Sequence, residues 1–308
     1  MPGRQVLKFC FTVLLFIGVM VVTDHAVDSY LKNGLNRYYG FDNGAQILCV
    51  GHSRTIHAVD RNRLEQAVGV PVAKYALAGT DTFDRLMMIR HYLGQHPGQT
   101  KVVVYDVDYF TFNGRTTGFG RNSDQFRQFF PYMNNAEVDA YVKKRSRWGE
   151  YTSRKLVRSL RYNDPAVLAR AIISHFKTDP ITTNKIDMES YRKGLAAGNA
   201  GEPGLIIDPG HVGCFEEILK LLRSQNIKVV LVYLPVIDIE RDRIDPRYRE
   251  RVIGMFRGYA AQDPGVLFLE DAKKYEHAYD LFCDQWHVNR DGQALLTNDL
   301  ARAVKGMM

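Results

Sequence analysis

The chain has 308 residues, 45% of them hydrophobic and 24% charged, with a formal net charge of +7. That balance is globular and excludes a disordered, collagen-like or polytopic membrane protein; no period of ~20–50 residues recurs to suggest a solenoid. The four cysteines are too few for a disulfide-built scaffold, and the positive charge fits an acidic polymer, a membrane surface or nucleic acid without choosing among them.

The first element is apolar. Phe9 to Thr23 reads FCFTVLLFIGVMVVT with no charge inside, behind Arg4 and Lys8 and ahead of Asp24. The run is short for a spanning helix, which takes ~20 residues (range ~17–25), and a basic start with a short apolar core also describes a signal peptide. The exit Thr23-Asp-His-Ala-Val27 lacks a good small-x-small cleavage site. An uncleaved signal anchor over residues 1–23 is therefore expected, in preference to a cleaved signal or a buried core helix. The positive-inside rule then places residues 1–8 in the cytoplasm and the bulk on the extracytoplasmic (periplasmic) side of the inner membrane. Residues 24–44 read as a juxtamembrane helix and linker, and residues 45–308 as the main domain. Cys10 falls in the anchor, and Cys49, Cys214 and Cys283 cannot pair completely among themselves, so free thiols are expected, mostly in the core.

From there short apolar runs alternate with helical patterns. Ile47–Val50, Val72–Leu77, Lys101–Tyr105, Ile227–Leu234 and Val266–Leu269 are buried-strand candidates, bounded by Gly, Pro or Asp and rich in β-branched residues. Between them, Phe83, Leu86, Ile89 and Leu93 share a helical face, Phe215, Ile218, Leu219 and Leu222 form an apolar stripe, and a last helix follows Asn289 with Leu296, Leu300 and Val304. Strands with continuous apolar runs, separated by helices, indicate an α/β, three-layer fold around a parallel sheet of about five strands. One polar, aromatic and basic stretch, about residues 119–203, interrupts the alternation. Its clearest helices are Ala136–Val142 and Pro165–Ile173. It reads as a helical insertion beside the ligand-binding edge of the sheet, not as an independent domain.

Two short segments carry chemistry. The first strand runs into Gly51-His52-Ser53-Arg54, which puts a serine at the carboxyl end of a parallel strand, where open α/β sheets place their sites. Glycine permits a tight turn, and the helix start offers backbone N–H groups to a developing oxyanion; the plainer reading of Ser53 is a helix N-cap. Asp284-Gln285-Trp286-His287 lies between the last strand and the last helix. Asp and His three apart on one turn can face the same point, so that the carboxylate orients an imidazole able to act as general base for a serine hydroxyl; alternatively the segment is a capping turn and His287 merely packs.

Taken together, the order Ser…Asp-x-x-His resembles the SGNH (GDSL-like) hydrolase superfamily. Gly51-His52-Ser53-Arg54 stands where that family has its Gly-Asp-Ser block, and Asp284-Gln-Trp-His287, continued by Val288-Asn289-Arg-Asp-Gly292, is similar to its final block. With a single N-terminal anchor, the pattern is most similar to DltD-like members, which work beside membrane-bound O-acyltransferases in decorating cell-surface polymers. The resemblance covers residues ~45–110 and ~205–305 and implies a Ser53–His287–Asp284 triad. It implies further a serine acyltransferase or esterase working through an acyl-enzyme, most simply an O-acetylation of a surface polysaccharide, with no cofactor. A membrane-bound O-acyltransferase partner is implied in the same way.

Two further family blocks supply oxyanion donors. Ala78-Gly79-Thr80 follows the second strand, so Gly79 is the expected backbone donor, though a glycine there also serves a plain turn. The third block departs from the family: the chain reads Tyr105-Asp106-Val107-Asp108-Tyr109, and the nearest asparagine is Asn113. An ionised aspartate cannot donate, so the hole is two-membered or is completed by Asn113 or Arg54. Arg54 reads either as a cation beside an anionic substrate or as a surface helix residue. His52 and His57 lack a partner at metal spacing, and no metal site is expected. Lys143-Lys-Arg-Ser-Arg147, continued by Arg154, Lys155, Arg158 and Arg161 and interleaved with Trp148 and Tyr151, is the strongest charge feature. Its composition suits nucleic acid, but an exported location argues against that and leaves a solvated face, anionic lipid heads or an acidic glycan. The rival functions are an anchored esterase and a non-catalytic assembly subunit of a polymer-export machine.

Overall fold

The computed structural model describes residues 2–42, 44–114, 124–176, 181–197 and 205–308. In chain order, helix α1 (Pro2–Tyr39) leads to β1 (Ile47–Gly51), α2 (Ser53–Ala58), α3 (Arg61–Val68), β2 (Val72–Ala76), α4 (Thr82–Gln95) and β3 (Val102–Val107). Helices α5 (Ala136–Arg145), α6 (Trp148–Leu156), α7 (Pro165–Ile173), α8 (Met188–Ala196) and α9 (Pro209–Ser224) precede β4 (Lys228–Tyr233). Then come α10 (Asp238–Asp242), α11 (Pro246–Gln262), β5 (Val266–Leu269) and α12 (Arg290–Met307). The expected α/β class holds. All five strands are parallel in the order β2-β1-β3-β4-β5, with Ile47 opposite both Val72 and Val102. In that order the connection reverses direction between β1 and β3, and the crevice beyond their carboxyl ends is where such sheets bind ligands.

The chain divides into two compact units, one of Met1–Tyr38 and Phe126–Thr178, the other of Tyr39–Gln125 and Asp179–Met308. The sheet belongs to the second. Its strands are buried on both faces because successive side chains point to opposite sides. Ile47, Cys49, Val102, Val104 and Val230 pack with Leu64, Leu296, Leu300 and Val304 of α3 and α12. Tyr105 instead meets Phe215 of α9 edge to face. Lys74, buried in β2, donates from Nζ to the carbonyls of Ile56 (3.3 Å) and Val59 (3.0 Å). It therefore helps to satisfy the carboxyl end of α2, the helix that Ser53 begins, together with Gln293 Nε2 on Ile56 O (3.5 Å) and Thr297 Oγ1 on Ala58 O (3.3 Å). Cys49 and Cys214 are buried and Cys283 is partly so, and all of them are free thiols; burial pushes the Cys49 thiol up to about 12.

In the first unit the expected anchor and the juxtamembrane helix are one continuous helix, unbroken at residues 23–24. Its amino-terminal part is long and apolar enough to cross a membrane, and none of that part is buried, which removes the core-helix reading. Residues after Asp24 hold the other helices of the unit. Both Asp24 carboxylate oxygens accept backbone N–H bonds, from Ser159 and Arg158 at 2.8 Å each. Tyr162 donates to Asp28 Oδ1 at 2.9 Å, and His175 stacks on Tyr30 with ring centroids 4.2 Å apart.

The limits expected for the insertion, at about 119 and 203, lie outside the described residues, and its described part is not one piece. Phe126–Thr178 bury Phe129, Phe130, Val138, Val142, Val167 and Ala171 within the first unit, whereas α8 belongs to the second and sets Met188 and Tyr191 against the sheet core. Arg161 also departs from the expected basic face. It is 2% exposed, donating from Nε to Arg154 O and from Nη1 to Asn134.

Replacing Lys74 by Met removes the ammonium donor that the Ile56 and Val59 carbonyls share. It should destabilise the sheet unit by about 1.5–3 kcal/mol, the worth of a hydrogen bond from a charged group. The check is the thermal midpoint of the full chain followed by near-UV circular dichroism; an unchanged midpoint removes this role for Lys74.

Candidate active site

The site is built at the carboxyl ends of β1 and β3. Gly51 closes β1. A Cβ there would lie 2.0 Å from Thr55 Oγ1 and 2.4 Å from Asp106 Oδ2. The residue is glycine because two side chains already occupy the space of its own, not because the backbone turns through a left-handed conformation. His52 caps α2, its Nδ1 accepting from the Arg54 N–H at 3.1 Å. That acceptance places the ring proton on Nε2, which donates to Asp108 Oδ2 at 2.9 Å. Ser53 is therefore the first residue of α2 and not its cap, and its N–H has no acceptor inside the helix.

Beneath this turn lie the carboxylates of Asp106 and Asp108, at and just after the end of β3. Asp106 Oδ2 accepts the His52 N–H at 3.1 Å and the Thr55 hydroxyl, and Oδ1 sits 2.7 Å from Arg85 Nη1. Asp108 Oδ2 pairs with Arg54 Nη2, and Oδ1 accepts from Phe110 N–H at 2.7 Å and from the Thr111 hydroxyl at 3.1 Å. Burial raises both carboxyls, but Arg85 and His52 outweigh it at Asp106, and Arg54 and His52 outweigh it at Asp108. Both end below the ordinary 3.8, Asp108 far below.

The partner loop is local. An antiparallel bridge between Phe282 and Val288 pinches off residues 283–287, and Cys283 N–H donates to His287 O at 2.9 Å. Inside this loop Asp284 Oδ1 accepts the N–H groups of Trp286 and His287, both at 2.8 Å. The Asp-x-x-His spacing is thus an Asx-type loop rather than a helical turn. Asn289 anchors its exit by capping α12 through the N–H groups of Asp291 (3.0 Å) and Gly292 (3.2 Å), while its Nδ2 donates to Asp280 O at 2.7 Å.

The two ends of the chain meet here. His287 Nδ1 donates to Asp284 Oδ2 at 2.8 Å, which leaves Nε2 as an acceptor, and the Ser53 hydroxyl donates to it at 2.8 Å. Burial raises the Asp284 carboxyl, but its bonds from His287 and Trp286 override this and hold it below the ordinary range. Such a chain can take a proton from a hydroxyl oxygen as that oxygen attacks an electrophile.

The remaining expected site residues divide. Gly79 sits in the turn that follows β2, with φ +73°, and Thr80 ties that turn to β1 by donating from Oγ1 to Gly51 O at 3.1 Å. Arg54 is 6% exposed, and its guanidinium is committed to Asp108 and to Leu234 O at 3.0 Å, which corrects the reading of it as a surface helix residue. Asn113 bridges Ile207, and its carboxamide oxygen accepts from Ile206 N–H at 3.3 Å. No cluster of metal-ligating side chains occurs among the described residues.

The roles of His52, Asp106 and Asp108 were missed in the sequence. The signal for the carboxylates was a pair of acids on alternate residues at the end of an otherwise apolar strand. His57 packs its ring on His287, centroids 4.7 Å apart, and burial followed by the His287 charge keeps its pKa below 6.5. Trp286 and Phe110 meet edge to face at 5.5 Å beside the loop, an aromatic pair that no spacing announced.

No protein-family model and no curated protein matches the sequence. Among solved structures, the chain is similar to a lipase/acylhydrolase from Enterococcus faecalis, with 12% identity, a TM-score of 0.41 and coverage of 85% of this chain and 96% of that one. It is also similar to the C-terminal catalytic domain of peptidoglycan O-acetyltransferase A from Streptococcus pneumoniae, with 11% identity, a TM-score of 0.37 and coverage of 85% and 93%. At TM-scores below 0.5 these likenesses carry no functional argument.

Gly51→Ala forces a methyl group onto Thr55 and Asp106 and should cost about 1–3 kcal/mol as an overpacking change. The check is the unfolding midpoint, with Ser53→Ala as a control that moves it little. Asp108 gives a pH signature. Its folded-state pKa lies below the unfolded value, so the stability it contributes is complete above about pH 4, the unfolded value. It is lost as pH falls towards the folded-state value. Asp108→Asn should flatten the acid side of the stability–pH curve. It also strands the buried Arg54 cation, at a cost of about 3–5 kcal/mol near neutrality.

Proposed function

We propose that the chain is a membrane-anchored, extracytoplasmic serine O-acyltransferase of the SGNH type, acting through an acyl-enzyme. One observation carries the reading: the unbroken hydrogen-bond chain from Ser53 Oγ to His287 Nε2 and from His287 Nδ1 to Asp284. In the proposed cycle the Ser53 oxygen attacks an acyl carbonyl while its proton passes to His287 Nε2. The tetrahedral intermediate collapses, and the leaving group departs with that proton, leaving the acyl group esterified to Ser53. An acceptor hydroxyl then gives its proton to His287, attacks the ester, and leaves acylated as His287 returns the proton to Ser53. Asp284 holds the imidazole tautomer throughout and stabilises its charged form.

The Ser53 N–H, at the first position of α2 with no acceptor inside that helix, supports its assignment as an oxyanion donor, and the position of Gly79 after β2 supports the second donor. A third donor is not supplied by Asp106 or Asp108, which are ionised acceptors. Losing one such donor costs about 10²–10³ in turnover. That favours slow transfer to a held acceptor over rapid hydrolysis. The sequence resemblance suggests acetyl as the group, a cell-surface polysaccharide as the acceptor and a membrane-bound O-acyltransferase as the source. A second reading, an anchored esterase, is favoured by the openness of the loop: the Asp284 side chain is 45% exposed, so water has access.

The test uses the full chain in detergent. A fluorophosphonate probe should label Ser53, and Ser53→Ala should lose labelling and acyl turnover while keeping its fold; absence of labelling in the parent overturns the enzymatic reading. Asp284→Asn should lower turnover by about 10⁴, the cost of the wrong imidazole tautomer. Partition of an activated acetyl ester between water and a soluble oligosaccharide acceptor separates esterase from transferase.

A further inference from the structure

Within the unit formed by Met1–Tyr38 and Phe126–Thr178, we infer that α6 and the basic run before it rest in the headgroup layer of an anionic bilayer, beside the helix that enters it. This goes beyond the acyl-transfer reading and rests only on its premise that Phe9–Thr23 spans a membrane.

The first observation is one of level. At 1.5 Å per residue the uncharged stretch Phe9–Thr23 is about 22 Å long, short of a hydrocarbon core of about 30 Å. A short span draws its flanking residues towards the core. On one side Lys8 and Arg4 can reach outward along their stems. On the other side the first residue is Asp24, whose carboxylate holds the backbone N–H groups of Arg158 and Ser159 at 2.8 Å. The segment just before that clamp, Leu156 and Val157, therefore lies at the level where the helix leaves the apolar core.

The second observation is what is exposed there. Leu156 is 77% exposed and Trp148, two turns earlier on the same side of α6, is 83% exposed. A tryptophan and a leucine left open on a helix tied to a membrane-spanning segment match the chemistry of the bilayer interface, where amphipathic rings settle.

The third observation is charge. Lys143, Lys144, Arg145 and Arg147 precede Trp148, and among the described residues none of them has an ion-pair partner. Arg145 lies over the Tyr141 ring at 3.7 Å, and Lys143 over Tyr151 at 5.9 Å. By contrast Arg154, Lys155 and Arg158 face Glu150, Asp139 and Asp28. The uncompensated cations are thus the ones flanking the exposed tryptophan, the arrangement that attracts anionic lipid heads.

The test reconstitutes the full chain, carrying Trp286→Phe so that Trp148 is the sole tryptophan, into vesicles of three parts phosphatidylcholine to one part phosphatidylglycerol. Flotation with the vesicles after alkaline extraction reports the anchor separately. With the chain embedded, brominated lipid should quench Trp148 emission at least about twofold and the emission should shift to the blue. Replacing Lys143, Lys144 and Arg147 by Gln, or omitting phosphatidylglycerol, should reduce the quenching. A chain that floats while Trp148 remains unquenched and water-exposed overturns the inference and leaves this face to a protein or glycan partner. A chain that does not float overturns the anchor, and the inference with it.

Discussion

Two buried carboxylates at the end of β3 decide where the serine can stand. Asp106 holds the His52 backbone, the Thr55 hydroxyl and Arg85, and Asp108 holds the His52 ring and Arg54. Strand order makes this possible, because β3 lies directly beside β1 and its end faces the turn that leaves β1. Four neighbouring residues of that turn, from His52 to Thr55, then have little freedom: one supplies a cap, one an ion pair, one a hydroxyl bond, and Ser53 is the one left unengaged below. Taking such charges out of water is costly, and a well-packed apolar cluster would be as stable or more so. What the ion pairs provide instead is a fixed direction for α2, and with it for the Ser53 hydroxyl.

The same arrangement also fixes the side chain that follows the serine. Arg54 follows the serine, and its side chain turns towards Asp108 and Leu234. Asp106 and Asp108 work beneath the turn as acceptors. The end of β3 is thus part of the support for the turn after β1, and in the proposed cycle stabilisation of a developing oxyanion falls to backbone N–H groups. That shifts the proposed chemistry towards positioning the acceptor and away from raw electrophilic activation.

How much of this the sequence disclosed follows from how local each feature is. The strands were legible because a parallel strand covered on both faces is a continuous apolar run, and all five were found. Their ends were less so: β3 continues to Val107 through Asp106, a residue whose polarity hides its place in the ladder. Ser53 and the Asp284–His287 pair were legible because short motifs with internal hydrogen bonds set their geometry. Arg54 and Asn113 were not, since their directions are set by Asp108, 54 residues on, and by Ile206, 93 residues on. The division of the insertion was hidden for the same reason. Amphipathic helices announce that they need a partner, not which one, and α7 found α1 while α8 found the sheet core.

The His57 ring packs against the imidazole of the proposed base. In the proposed cycle His287 carries a positive charge whenever it holds the Ser53 proton. His57 lies against its ring at 4.7 Å. Were both rings charged, the repulsion at that separation would be on the order of 3 kcal/mol for an effective dielectric of ~20, enough to cancel much of what Asp284 contributes. Burial first, and the His287 charge second, lower the His57 pKa below its ordinary value, which disfavours a second charge beside His287. The partly buried His57 ring gives His287 a surface to pack against. The Asp284 carboxylate is left as the nearest charge to which the cationic form responds.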